Sequence, residues 1–151
     1  MNIIKLTEFF TRKQVEEDTE FMYLFTDNLN RSSGNHRIPD GWYDKKYGRN
    51  IIKYHPTMTQ AIIRGLDNAY PISTMENEKR KQFSDFYFAY FQRSIDNEIE
   101  EIKNNLHRFK GIKYIGQFGN GKYSKMKEKA PLCWKYLNKR LLEINIDNYA
   151  S

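Results

Sequence analysis

The sequence has one cysteine in 151 residues, Cys133, so an internal disulfide is excluded. No Cys/His spacing resembles a zinc site either, and a fold that needs neither staple nor structural metal is expected in a reducing compartment. Long apolar runs are also missing. Nothing approaches the eighteen or so residues of a membrane span, and Met1–Glu8 lacks the apolar centre and small-residue cleavage site of a leader. The expectation is a soluble, cytoplasmic protein with no membrane partner. No block of five or six like charges occurs, which leaves no basic or acidic tail, and no repeat or interdomain linker is visible. A chain of this length is read as one domain, 1–151, able to bury about two-thirds of its unfolded surface.

What is present is a basic, aromatic-rich composition. Lys and Arg number 25 against 19 Asp and Glu, a formal charge of +6, which suggests anionic partners. Eleven Tyr and ten Phe supply either stacking surfaces for bases or the bulky half of a small core, and the core is the simpler use.

One stretch organises the rest: Ile112-Lys113-Tyr114-Ile115-Gly116-Gln117-Phe118-Gly119-Asn120-Gly121-Lys122. A short apolar run leads into three glycines and a lysine, with a helical pattern beginning soon after. Strand, glycine loop and helix in that order present backbone N–H groups to an anion, although glycine also serves ordinary turns.

The remaining chain reads as alternating strands and helices. A short N-terminal helix is expected through about Glu17, and Phe21–Phe25 is a continuous apolar run of the kind found in a buried strand. Trp42, Tyr43 and Tyr47 are compatible with one or two helical turns over 42–48. Thr57 is a candidate N-cap for a short helix through Met58, Ala61, Ile62 and Leu66, weakened by Gly65 and Asp67. Ala69–Thr74 reads as extended, with Pro71 tolerable only at an edge or where its missing N–H is not needed. Residues 75–81 read as loop. Phe91, Ile95, Ile99, Ile102 and Leu106 recur at helical spacing, and the acidic residues of the opposite face, Asp96, Glu98, Glu100 and Glu101, are read as a solvated surface. Pro131 opens a last helix with a stripe of Trp134, Leu137, Leu141 and Ile144, after which Asp147–Ser151 is expected to fray. This alternation predicts an α/β fold: three layers, a mainly parallel sheet with helices on both faces.

Ligands of open α/β sheets bind beyond the carboxyl ends of the strands. Three such ends are polar or glycine-rich here: Thr26-Asp27-Asn28, Ser73-Thr74, and Gly116 to Lys122. Asp27 is suited to accept from a sugar hydroxyl or adenine amino group, and Arg64 and Lys122 to neutralise phosphate. Capping by Asp27-Asn28 and surface exposure of Arg64 are the plain structural readings of the same residues.

The series Phe25-Thr26-Asp27-Asn28-Leu29, Gln60-Ala61-Ile62-Ile63-Arg64-Gly65, Asn68-Ala69-Tyr70-Pro71-Ile72-Ser73-Thr74, the glycine loop, Lys129-Ala130-Pro131 and Tyr136-Leu137-Asn138-Lys139-Arg140-Leu141 resembles an uncharacterised family common in phage genomes, with gaps, over about residues 21–144. Its order of motifs is similar to compact macrodomains, which bind ADP-ribose or related nucleotides with an aspartate on the adenine side and glycine loops around the phosphates. The resemblance therefore implies a macrodomain-like fold and a phage-type module for a small nucleotide, such as ADP-ribose or a host-defence signalling nucleotide, which it would sequester. The implied contact set is Asp27, Asn28, Ser33, Arg64, Asn68, Thr74, Gly116, Gly119, Asn120, Gly121 and Lys122. Thr26 stands where that family has glycine, Met58-Thr59 where it has Gly-Gly, Ile72-Ser73-Thr74-Met75 where it has Ile-Pro-Thr-Lys, and residues 38–57 look inserted. These departures favour binding over catalysis. No nucleophile with an evident base emerges, and no metal or cofactor is implied; any chemistry would be hydrolysis of an ADP-ribose-type or phosphodiester linkage.

Two other functions fit the composition. A nucleic-acid-binding module would use Lys45, Lys46, Arg49, Lys122 and Lys125 with Trp42, Tyr43 and Tyr47 as stacking surfaces. An inhibitor of a host enzyme would present the 38–57 segment to a host protein.

Overall fold

In a computed structural model, residues 1–28, 43–44, 49–50, 60–75, 82–121 and 124–150 are described. A four-stranded, wholly parallel sheet runs through the molecule in the order β1 (Asn2–Lys5), β6 (Gly111–Tyr114), β2 (Phe21–Asn28), β5 (Ala69–Met75). Parallel strands need crossovers that cover the sheet, and both faces are covered here. On one face Met22, Leu24, Tyr70, Ile72, Ile112 and Tyr114 pack against α2 (Phe88–Asn105) and α4 (Pro131–Leu142). On the other, Tyr23, Phe25 and Ala69 pack with Phe10, with Val15 of α1 (Arg12–Glu17) and with the 3-10 turn Gln60–Ile63. This is the expected α/β sandwich. β2 is interior to the sheet and buried on both faces, which is why its sequence reads as an unbroken apolar run instead of alternating.

Pro71 lies on β5, an edge strand, opposite Phe25. A residue with no N–H to donate is tolerated there. Phe91, Ile95, Ile99 and Ile102 of α2 are all fully buried, as their spacing predicts. The acidic face of that helix is only partly solvated. Glu98 accepts from the Ser73 amide (2.9 Å) and hydroxyl (2.5 Å), and Arg140 of α4 pairs with Glu100 at 2.8 Å and reaches Asp96.

Four expectations are revised. The first residues form strand β1, and helix begins only at Arg12, after a capping box in which Thr11 and Gln14 exchange hydrogen bonds. β1 is short and largely exposed, so it carries no apolar run to announce it. Where helical turns were expected over 42–48, Tyr43–Asp44 (β3) pairs antiparallel with Arg49–Asn50 (β4). Tyrosine favours strands, and three apolar positions were too few to fix a period. The helix expected from Thr57 is reduced to the turn Gln60–Ile63, and Gly65 at φ +90° turns the chain toward β5; Thr57 and Met58 lie outside the described residues. Finally, the C-terminal segment is packed: Ile144, Ile146 and Asn148 are buried. The loop reading of 75–81 falls outside the described residues except at Met75, which ends β5.

Candidate functional site

Because every strand of the main sheet runs the same way, the carboxyl ends of β6, β2 and β5 share one edge. The glycine loop leaves β6 at that edge. It is drawn toward β5 by Ser124, whose buried hydroxyl donates to the Thr74 carbonyl at 2.7 Å. β2 lies between β6 and β5 in the sheet.

The loop is strongly organised. Asn148 grips Phe118 from both sides: the Phe118 amide donates to Asn148 Oδ1 and Asn148 Nδ2 donates to the Phe118 carbonyl, each at 2.8 Å. The same carbonyl accepts from Trp134 Nε1 at 3.2 Å, and Gln117 Nε2 donates to the Asn148 carbonyl at 2.6 Å. Gly119 has φ +80°, and a Cβ there would meet Met126 Sδ at 2.9 Å and Trp134 Cδ1 at 3.0 Å, so glycine is required for both conformation and space. Gly121 differs. It is exposed, with open space around the position of a Cβ, and with exposed Asn120 it forms the outer corner of the loop. Asn120 Nδ2 donates to Gln117 Oε1 at 2.7 Å.

These bonds bear on the anion-cradle reading. The amides of Phe118, Gly121 and Met126 donate within the protein, to Asn148 Oδ1, the Ser124 carbonyl and the Gly119 carbonyl. The helix start downstream is also occupied: Asp85 accepts from the Leu132 and Cys133 amides, both at 3.1 Å, where an anion would otherwise sit. Burial first, then the Asp85 hydrogen bond and charge, push the Cys133 thiol up to about 12, far from a thiolate nucleophile at neutral pH.

The other candidates fall into two groups. Asp27 and Arg64 meet each other in a buried bidentate ion pair, Arg64 Nε donating to Asp27 Oδ2 at 2.7 Å and Nη2 to Oδ1. Arg12 fixes the same turn by donating from Nη1 to the Ile62 and Arg64 carbonyls at 2.9 and 2.8 Å. Asn68 is at the opposite end of the sheet. It precedes β5, and its side-chain amide donates to the carbonyls of Val15 (2.9 Å), Asp18 (3.1 Å) and Phe21 (3.3 Å), joining the amino ends of β2 and β5. The edge thus gathers Asp27, Arg64, Thr74, Gly116, Gly119, Asn120 and Gly121, and separates Asn68 from them. Ser33 and Lys122 lie outside the described residues, as does the Asn28 side chain. Ser124, Asn148, Gln117 and Asp85 build the site without having been singled out in the sequence. Each acts across thirty or more residues, apart from Gln117 on Asn120, and such contacts leave no local pattern.

A groove of about 510 Å³ opens on the α1 face, lined by Leu6–Phe10, Gln14, Glu17, Asp18, Tyr23 and Lys113. At its base Asp18 accepts from Lys113 Nζ at 2.6 Å and from the Tyr23 hydroxyl at 2.7 Å. Burial alone would raise the Asp18 carboxyl, but these two donors and the Lys113 charge hold it below its ordinary value. Burial, reinforced by Asp18, raises the Tyr23 hydroxyl well above the usual phenol range. Among the described residues no group of three or more His, Cys, Asp or Glu is placed to hold a metal ion, and no helix is long and apolar enough to cross a membrane.

The chain belongs to a family of unknown function, DUF7831, whose pattern it matches over residues 5–140. No curated protein and no solved structure matches it.

Proposed function

For this member of the family, we propose a macrodomain-like binding module for a small nucleotide of the ADP-ribose class, held at the carboxyl edge of the parallel sheet. The observation that supports it most is the Ser124–Thr74 bond, which ties the segment following the glycine loop of β6 to the carboxyl end of β5. That is where ligands of open α/β sheets bind. The bonding pattern narrows which residues would touch the ligand. Asn120 and Gly121 form the exposed rim; their amides donate to the Gln117 and Ser124 carbonyls, and the missing Cβ of Gly121 leaves room beside Lys122, the adjacent cation in sequence. The buried Asp27–Arg64 pair instead ties the carboxyl end of β2 to the turn that follows Ile63. In a phage setting, such a module would sequester a host-defence signalling nucleotide in the host cytoplasm; that role rests on the family resemblance alone.

Titration calorimetry of the folded protein with ADP-ribose, NAD and cyclic dinucleotides tests the proposal. One of them is expected to bind in the micromolar range. Gly121→Ala should weaken it at least about tenfold with no loss of thermal stability, because the new methyl group meets no protein atom and would obstruct only a bound phosphate. No heat with any of these ligands would overturn the proposal.

A further inference from the structure

The formal charge of +6 is not distributed over the molecule. Residues 122–140 contain seven Lys and Arg and one carboxylate, Glu128, a net of +6; the other 132 residues balance at eighteen of each sign. Because apolar residues interrupt these lysines, no run of like charges marks them in the sequence. Its described part, residues 124–140, leads into α3 (Met126–Lys129) and α4 and joins the glycine loop through the Asn120–Lys125 bridge.

Burial fixes which side of α4 faces out. Cys133, Trp134, Leu137, Asn138 and Leu141 are buried, so Lys135 and Lys139, one turn apart, share the exposed stripe. Lys125, Lys127 and Lys129, at and before the preceding turn, are also exposed. Elsewhere among the described residues, Lys13, Lys103, Lys110 and Lys113 each meet a carboxylate within 4.0 Å, and Lys5 does not. Among the described residues, none of the five exposed lysines of α3 and α4, counting Lys125 at the start of α3, has such a partner. The surface also carries an aromatic platform. Lys127 Nζ sits 5.3 Å from the Trp134 ring, and Trp134 meets Tyr149 edge to face with centroids 4.9 Å apart. Tyr149 is 54% exposed although its neighbours Asn148 and Ile146 are buried.

We infer that the α3–α4 surface, Lys125, Lys127, Lys129, Lys135 and Lys139 with Tyr149, binds single-stranded nucleic acid. Unpaired lysines at this density complement a phosphate backbone, and an exposed ring held rigidly by Trp134 is suited to stack on a base. This surface adjoins the rim at Asn120 through Lys125, the one residue it shares with the set to which the sequence alone pointed for nucleic-acid binding; the side chains of Trp42, Tyr43, Lys45, Lys46, Tyr47, Arg49 and Lys122 lie outside the described residues.

Fluorescence anisotropy with labelled oligothymidylate and oligouridylate tests the inference. With about five phosphates neutralised, affinity should fall on the order of a hundredfold between about 50 and 200 mM salt. Charge reversal at Lys127→Glu, Lys135→Glu and Lys139→Glu together should weaken binding more than about tenfold beyond the control Lys5→Glu, Lys13→Glu and Lys110→Glu, which changes net charge equally. Tyr149→Ala should weaken it about tenfold without altering the salt slope. Equal losses in the two triple variants, no binding at about 50 mM salt, or tighter binding to phosphatidylserine vesicles than to either oligonucleotide would overturn it.

Discussion

At the scale of single residues, Asp27 and Arg64 carry the sharpest change of meaning. Their sequence positions suggested two ligand contacts, one for a sugar or base and one for phosphate. Together in the fold, they satisfy each other in a buried pair. A sequence records charge and position along the chain, but whether two charges 37 residues apart meet is a tertiary fact. Breaking a buried pair from one side leaves a desolvated charge, which costs about 3 kcal/mol or more. Arg64→Met should therefore lower the melting temperature by roughly 6–12 °C at this chain length, with Asp27→Asn in the same chain recovering part of the loss. Thermal unfolding followed by circular dichroism checks this; a melting temperature within about 2 °C of the parent would show that the pair does not hold β2 to the turn after Ile63. Asn68 gives the complementary lesson. It lies beside the Ala69–Thr74 strand in sequence and was grouped with its carboxyl end, yet it stitches the amino end.

At the scale of elements, the legible parts were those that bury a repeated face. α2, α4, β2 and β5 each show a period or an unbroken apolar run, and each formed where that pattern lies. β1 and the C-terminal clamp were not legible, because β1 buries almost nothing of its own and Asn148 works through two hydrogen bonds to a distant residue. β1 depends on Gly111, its register partner at Asn2. A Cβ at Gly111 would lie 2.0 Å from the Asn2 carbonyl oxygen, an impossible contact with backbone. Gly111→Ala should displace β1 from the sheet while leaving β6 paired to β2. Hydrogen exchange would then show fast exchange at the β1 amides that bond to β6 and preserved protection at Leu24 and Lys113, which face one another's strands across β2 and β6; unchanged protection of β1 would contradict this reading of the glycine.

At the scale of the whole molecule, the sheet supplies one polar edge and residues 122–140 supply the net charge, and the glycine loop adjoins both. The parallel α/β architecture was legible because alternating strands and helices admit few other solutions. The concentration of charge was present in the sequence but masked by interspersed apolar residues, and exposure on the folded surface reveals it. The central claim is that a small nucleotide binds at the carboxyl edge. Amide chemical-shift mapping on nitrogen-15-labelled protein with ADP-ribose tests it most directly. The account predicts saturable shifts centred on Asn120, Gly121, Asp27 and Thr74, with the amino-end amides of Asn68 and Phe21 unmoved. Shifts confined to the α1 groove around Thr7, Gln14 and Lys113, or no shifts at millimolar ligand, would contradict it.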